Sequence, residues 1–587
     1  MKGLLKRWTM KKEVTLGIIV AVFLIAVIAG FVIFVNPSAS GAGDPGYPID
    51  SQVYTTLERT VIPVPVPLTS PKLLPYEVSK YSAYGYGVWQ YGPGLGFEKR
   101  LDLMPAGYTN TSATSTAKLL NFFTMTDIHI TDKESPAQSV YYGYEWGIIS
   151  GYAPVMLSTT QVLDAAVQTV NALHKENPFD LGIFLGDAIN SGQYNELRWY
   201  IDVLDGKKIK PDSGVKDDPV PGPLNDYQDE YMAAGLDKTI KWYQALGNHD
   251  HFWMGMFPPD DYIKSTLTGD TILNIGNIFT GSSLGIKSRG YYMGAIDGRT
   301  PYGDIIGAGP VSNFSTAPTV PADPDRRFLS REEWMGEFFN TSSSPAGHGF
   351  NQADVANGFA CYAFEPKSDI PIKVIVLDDT QRDDDPRGGT SNGHGSLDLE
   401  RYTWLVKELD KGQAEGKLMI IAAHIPVGVK LESSGINSLM TWSEYAAVSD
   451  TDLIAKLHKY PNLILWISGH RHQNTVTAFK SPDLTHPELG FWEVETASLR
   501  EFPQQFRTFE IVRNSDNTVS IFTTDVDPAV RDGSPAAKSR SLAIASLQTF
   551  NITPDPMPSG LYNAELVKQL TPEMQAKIQN YGIPEGK

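Results

Sequence analysis

The chain has 587 residues, of which 41% are hydrophobic and 20% charged, a globular balance in a chain too long for one simple core. A formal net charge of −18 and a sequence pI near 5.1 exclude a broad interface with a phosphate backbone, which needs a basic face, so no nucleic-acid partner is expected. A single cysteine, Cys361, excludes an intrachain disulfide and a cysteine-based zinc site; its apolar neighbours read as the surroundings of a buried, inert thiol.

Residues 1–12 carry Lys2, Lys6, Arg7, Lys11 and Lys12, a basic segment expected on the cytoplasmic side. From Val14 to Val35 there is no charge, which is enough helix to cross a hydrocarbon layer of ~30 Å. Residues 13–36 are therefore expected to be a transmembrane helix that anchors the chain to a lipid bilayer, with everything beyond extracytoplasmic. A cleaved signal peptide followed by secretion is the second reading, because small residues follow at 38–42; a signal h-region is shorter, at ~7–15 residues. Residues 37–117 are rich in Pro, Gly and Tyr and read as a linker and leader packing on the core, with an extended polyproline-like stretch at 61–67.

From residue 118 to 530 strands alternate with helices. Apolar runs predict strands at 119–125, 181–185, 242–246, 373–377, 418–422 and 463–467. Apolar spacing predicts helices at 159–174, 397–410 and 452–458, the first with Ser158 and Thr159 as cap candidates. Two insertions interrupt the pattern, at about 201–240 and 251–370; stretches of that size usually cover sites. Strand-like segments follow at 509–512 and 518–523. Residues 531–587 form a C-terminal extension ending in a helix near 572–579, with Thr571 as cap and Pro572 in the first helical position. The alternation argues a layered α/β (α+β) fold.

Five of these strands end in residues that bind metals. The first is followed by Asp127 and His129, the second by Asp187, the third by Asn248, His249 and Asp250, the fifth by His424, and the sixth by His470 and His472. In open α/β sheets, ligands bind beyond the carboxyl ends of the strands. If the backbone stays extended past Gly469, His470 and His472 point the same way with Cα atoms ~6.6 Å apart, which suits two neighbouring ions with one imidazole for each. Two divalent ions need carboxylate and imidazole ligands, one of them shared. An Asp between them can bridge, and a bridging water loses a proton near neutral pH. The hydroxide attacks phosphorus in line, and a His beside a ligand can protonate the leaving oxygen.

These blocks (Asp-x-His, Gly-Asp, Gly-Asn-His-Asp, a later His and Gly-His-x-His, in that order over roughly 118–480) resemble the calcineurin-like metallophosphoesterase superfamily. The resemblance implies a sandwich of two mixed β-sheets flanked by helices, with long insertions, and a dinuclear centre with a bridging hydroxide that hydrolyses a phosphomonoester or phosphodiester. It implies Asp127, His129 and His472 on the first metal, Asp187 bridging, and Asn248, His424 and His470 on the second. His249 becomes the leaving-group proton donor or a phosphate contact, oriented by Asp250. Iron-tyrosinate purple acid phosphatases carry Tyr three residues after the bridging Asp; Asn190 stands there in this chain, so no tyrosinate colour is expected. The mixed donor set suits Mn, Fe, Zn or Co.

The expected substrate is a small phosphoester, and no obligate protein partner is evident. The rival from another class is a catalytically inactive surface binding protein on the same scaffold. It would need a degenerate donor set, whereas all seven metal positions carry competent side chains.

Overall fold

The structure is a computed structural model of the chain that describes residues 45–109, 113–146, 154–215, 217–276, 288–382, 393–428, 442–443, 446–552 and 559–584. The expected membrane span at 13–36 lies outside the described residues. Among the described residues no helix is long and apolar enough to cross a membrane.

The leader supplies strand β1 (Glu98–Leu103). Next comes β2 (Ser115–Met125), whose last seven residues are all buried. Helix α1 (Thr159–Glu176) starts where expected and buries Val162, Ala166 and Val170, the apolar positions of its sequence; Ser158 occupies the N-cap position without a side-chain bond. Then follow β3 (Leu181–Phe184), α2 (Tyr194–Asp205) and β4 (Lys241–Gln244).

The second half opens with β5 (Tyr362–Phe364) and β6 (Ile372–Leu377). Helix α3 (Leu399–Ala414) is capped by the Asp398 carboxylate, which accepts from Arg401 N at 2.8 Å. After β7 (Leu418–Ala423), α4 (Asp450–Leu457) is capped by Ser449, which accepts from Asp452 N at 3.0 Å. The chain continues through β8 (Leu463–Ser468), β9 (Thr475–Phe479), β10 (Phe491–Glu495), β11 (Phe506–Asn514) and β12 (Val519–Val526). The tail adds α5 (Pro535–Thr549), β13 (Asn563–Lys568) and α6 (Pro572–Ile578), the last capped by Thr571 with Pro572 in its first turn.

The strands form two large mixed sheets. One has eight strands, in the order β1-β13-β12-β11-β2-β3-β4, with Ile583–Pro584 paired on β2. The other has six, in the order β5-β6-β7-β8-β10-β9. Strands β2, β3 and β4 run parallel, with Met125, Phe184 and Gln244 level at their carboxyl ends. Strands β6, β7 and β8 are also parallel and finish together at Leu377, Ala423 and Ser468.

The sheets share one apolar core. Phe122, Phe509 and Trp242 of the first sheet join Ile420, Ile467 and Trp492 of the second. The period-two alternation of strands divides β7 between faces: Leu418, Ile420 and Ala422 enter the shared core. Met419, Ile421 and Ala423 face Leu405 and Leu409 of α3 and Leu453 and Leu457 of α4. Burial on both faces is what makes that strand an unbroken apolar run, and each fully buried Leu or Ile contributes about 1.5–3 kcal/mol.

Several elements escape the sequence pattern. Within the 251–370 insertion the chain forms a helix at Asp261–Thr268, an antiparallel pair of strands at Tyr291–Asp297 and Asp304–Pro310, and a helix at Arg331–Glu337. That last helix is opened by a capping box of Ser330 and Glu333. The leader and the C-terminal extension contribute β1 and β13 to the eight-stranded sheet, where they pair in parallel. Residues Pro45–Lys587 form one unit.

Candidate metal centre

The level carboxyl ends of the two parallel strand sets place the seven expected donors in one buried cluster. Asp127, His129 and His472 form one group, Asp187, His424 and His470 a second, and His129, Asp187 and His249 a third that joins them. Asn248 belongs to the second group: its Oδ1 lies 2.8 Å from His424 Nε2 and 3.0 Å from His470 Nδ1.

Backbone geometry aims these side chains. Asp127, His129, Asp187, His470 and His472 all have φ between 48° and 77°, the left-handed region that few non-glycine residues enter, with Asp and His among the more tolerant. Each such residue costs on the order of 1 kcal/mol, and clusters of them occur at functional sites. The expectation of an extended backbone through His470 and His472 is thereby corrected. Strand β8 stops at Ser468, and the left-handed turns at both histidines replace strand alternation as the aiming device.

The motif glycines have a packing reason. A Cβ on Gly247 would sit 2.2 Å from Asp187 N, and one on Gly469 would sit 2.0 Å from Thr126 Oγ1. Backbone must pass there closer than any side chain permits.

Hydrogen bonds fix which atom of each donor faces inward. Asp127 Oδ2 accepts from Thr126 Oγ1 at 2.7 Å and from His470 N at 2.9 Å. Its Oδ1 has no hydrogen-bond donor and lies 3.1 Å from His472 Nε2. Asp187 Oδ1 accepts from His249 N at 2.8 Å. Its Oδ2 lies between His424 Nε2, at 3.3 Å, and His129 Nε2, at 3.6 Å. His424 donates from Nδ1 to Leu185 O at 2.8 Å, and His472 donates from Nδ1 to Glu501 at 2.5 Å.

With these two rings neutral, the inward Nε2 atoms of His424 and His472 present lone pairs to other acceptors. His424 Nε2 meets Asn248 Oδ1 and Asp187 Oδ2, while His472 Nε2 meets Asp127 Oδ1 and, at 3.2 Å, His129 Nε2. Such convergence draws positive charge, supplied by protons on the rings or by a cation held between them. Separations of 3.1–3.6 Å are those of neighbouring donors about 2.0–2.1 Å from a common ion. The chemistry of the cluster thus fits divalent metal binding.

Electrostatics agree. Burial opposes charge on His424, yet the Asp187 carboxylate outweighs it and pushes His424 up to about 10. Burial likewise opposes charge on His472, and Glu501 and Asp127 overcome it. His129 and His470 are held well below the usual histidine range, by burial first. The cluster draws positive charge to the places where its acceptors converge.

The two remaining candidates differ from expectation in one respect. His249 stands with its ring centroid 4.5 Å from that of His129, in the group that includes Asp187. Asp250 does not orient it. The Asp250 carboxylate accepts from Gly247 N at 2.8 Å, Asp187 N at 3.0 Å and Ile189 N at 3.2 Å, tying two strand ends together. The atom that orients His249 is the backbone oxygen of Asn190, which accepts from Nδ1 at 2.7 Å. This is a correction with a simple cause: a carboxylate adjacent in sequence points to the opposite side of the turn, and a carbonyl takes its place.

Glu501 and the Leu185 carbonyl act on the site without having been singled out in the sequence, and Asn190, noted there for the absence of a tyrosine, acts through its backbone carbonyl. Arg471 forms a buried ion pair with Glu495, the structural role its place between the two histidines suggests. His251 bonds to Thr380 Oγ1 at 3.0 Å, outside the cluster, and His348 stacks on Trp242 with ring centroids 3.3 Å apart. Cys361 is buried, with its thiol pushed up by desolvation.

No protein-family model matches the chain, and no curated protein matches it in sequence. Among solved structures the chain is similar to a dimetal phosphatase from Danio rerio, at 11% identity and a TM-score of 0.34, over 70% of this chain and 100% of that one. The functional reading rests on the geometry of the side chains.

Proposed function

We propose that this chain is a phosphoester hydrolase with a dinuclear metal centre. One observation carries the reading: two sets of metal-competent atoms, from five strand ends, converge around the shared Asp187 Oδ2. Asp127, His129 and His472 would hold one ion, Asn248, His424 and His470 the other, and Asp187 both. The carboxylate, imidazole and amide mixture suits Mn, Fe, Zn or Co. Bound there, such a pair supplies the charge that neutralises phosphate oxygens and acidifies water.

The chain's own residues supply the rest. His249 donates its Nδ1 hydrogen to Asn190 O, which leaves Nε2 as the atom that takes and returns a proton at the leaving oxygen. Burial lowers its basicity, so a proton that Nε2 takes up from water is readily passed on to the leaving oxygen. Left-handed turns and crossed hydrogen bonds hold the donors in advance of substrate.

The substrate is a small phosphoester. The charge-free run at 14–35, preceded by five basic residues, supports a membrane tether with the catalytic part extracytoplasmic.

The test is hydrolysis of an aryl phosphate and an aryl phosphodiester by the Mn²⁺-loaded protein. Loss of activity is expected in both Asp187→Ala and His424→Ala; activity surviving both substitutions rejects the assignment. An inactive binding protein would instead keep its metal and turn over neither ester.

A further inference from the structure

Arg500 follows β10 and is 2% exposed. Its guanidinium donates from Nη1 to Asn190 Oδ1. Its Nε and Nη2 atoms are buried and, among the described residues, have no acceptor. Those two N–H groups lie on one edge of the guanidinium, the fork that meets two oxygens of a phosphate or carboxylate at once. A buried cation with an unfilled fork is costly, since each unmade bond leaves its desolvation uncompensated.

The position of that fork is set by the catalytic cluster. Asn190 holds Arg500 through its side chain and His249 through its carbonyl, so one residue fixes both groups. Arg500 N donates to Ser498 Oγ at 2.8 Å, and that hydroxyl donates to Asp127 O at 2.7 Å, which ties the residue to the edge of the metal cluster. Neither nearby carboxylate is turned to the fork. Glu196 accepts from Asp132 N and Ser191 N at 2.9 Å each, and Glu501 accepts from His472 Nδ1 and Ser498 Oγ. Burial lowers Arg500 only to about 10, so it is a cation at neutral pH.

We propose that the free Nε/Nη2 edge of Arg500 binds the phosphoryl oxygens of the substrate and makes this site selective for phosphomonoesters over phosphodiesters. The proposal rests on the hydrolase reading above. A diester has two non-bridging oxygens, which a bound pair of cations would neutralise. A monoester has a third, and a second negative charge with it. The fork of Arg500 offers that oxygen two N–H groups, and its cation rewards the extra charge.

The experiment uses the full chain loaded with Mn²⁺, with inorganic phosphate as the probe in calorimetry. It is paired with the ratio of kcat/KM for an aryl phosphate to that for an aryl phosphodiester, and metal content is measured for every variant. In Arg500→Gln the metal stays bound, phosphate affinity falls by about 10–100-fold, the loss expected for a bidentate charged contact, and the monoester-to-diester ratio falls with it. Arg500→Lys keeps the charge but loses the fork, and recovers part of the affinity.

Phosphate binding and ester ratio unchanged in Arg500→Gln would overturn the proposal. Should that variant not fold, the same invariance in Arg500→Lys would overturn it. A wild-type protein that binds phosphate through Arg500 yet hydrolyses neither ester would sink the hydrolase reading and leave the anion subsite standing. Hydrolysis with phosphate binding indifferent to Arg500 would do the reverse.

Discussion

The two sheets contribute different chemistry to the same pocket. The eight-stranded sheet supplies both carboxylates, Asp127 and Asp187, with His129, Asn248 and His249 beyond β2, β3 and β4. The six-stranded sheet supplies imidazoles only: His424 beyond β7, and His470 and His472 beyond β8. Each half is oriented by the other. His470 N donates to Asp127 Oδ2 and His424 Nδ1 donates to Leu185 O, both across the sheet-to-sheet gap. The group of Asp127, His129 and His472 and the group of Asp187, His424 and His470 each draw on both sheets, so the pair of sites is a property of their packing.

The comparison breaks most completely at the atom both halves share. Asp187→Ala removes the carboxylate that lies between His129 and His424; kcat/KM should fall at least ~10³-fold, on the order of 4 kcal/mol of transition-state stabilisation. Steady-state kinetics check this, and elemental analysis should show lost metal. Next in size is the seam between the sheets. Ile420→Ala opens a cavity in the shared core and should cost about 2–5 kcal/mol of stability, read as a lower Tm. Metal retention should fall with it if the two halves truly depend on their packing.

Acid should loosen the edge of the carboxylate-bearing half. His348, from the 251–370 insertion, stacks on Trp242 of β4, and burial lowers it to about 4. The unfolded chain, with an ordinary histidine near 6.5, binds the proton first. Its contribution is therefore complete above pH 6.5 and is lost as the pH falls towards 4, up to about 3 kcal/mol. Thermal unfolding between pH 7 and 4.5 should show a slope that His348→Asn reduces.

The smallest effect sharpens the imidazole half. Glu501→Gln weakens the acceptor that holds His472 Nδ1. Metal affinity should drop about 10–100-fold while the fold is retained. Equal affinity in wild type and variant would show that Glu501 does not position His472.

The site was legible in the sequence to the extent that side chains carry it. Each apolar run ending in Gly, Asp, Asn or His announced a strand and its donor, and all seven donors meet in the structure. What orients them was not legible. Leu185 O and Asn190 O are backbone atoms with no signature in residue type, and Glu501 lies 29 positions from the His472 it holds. Asp250 read as the partner of His249 because it is adjacent, and turned out to bind three backbone amides instead. The same division holds for the fold. The doubly buried β7 and β8 are unmistakable apolar runs, whereas β1 and β13, with Glu98, Lys99 and Arg100 in one and Glu565 and Lys568 in the other, become strands through tertiary pairing, β13 on β12 and β1 on β13.

By itself the sequence determined where strands and helices alternate, which side chains stand at the strand ends, and therefore which donors were available. Those follow from local rules of periodicity, capping and turn chemistry. Tertiary structure alone decided which oxygen or nitrogen of each donor faces inward. That choice depends on hydrogen bonds between loops far apart in the chain, made only after the two sheets have closed on a common core.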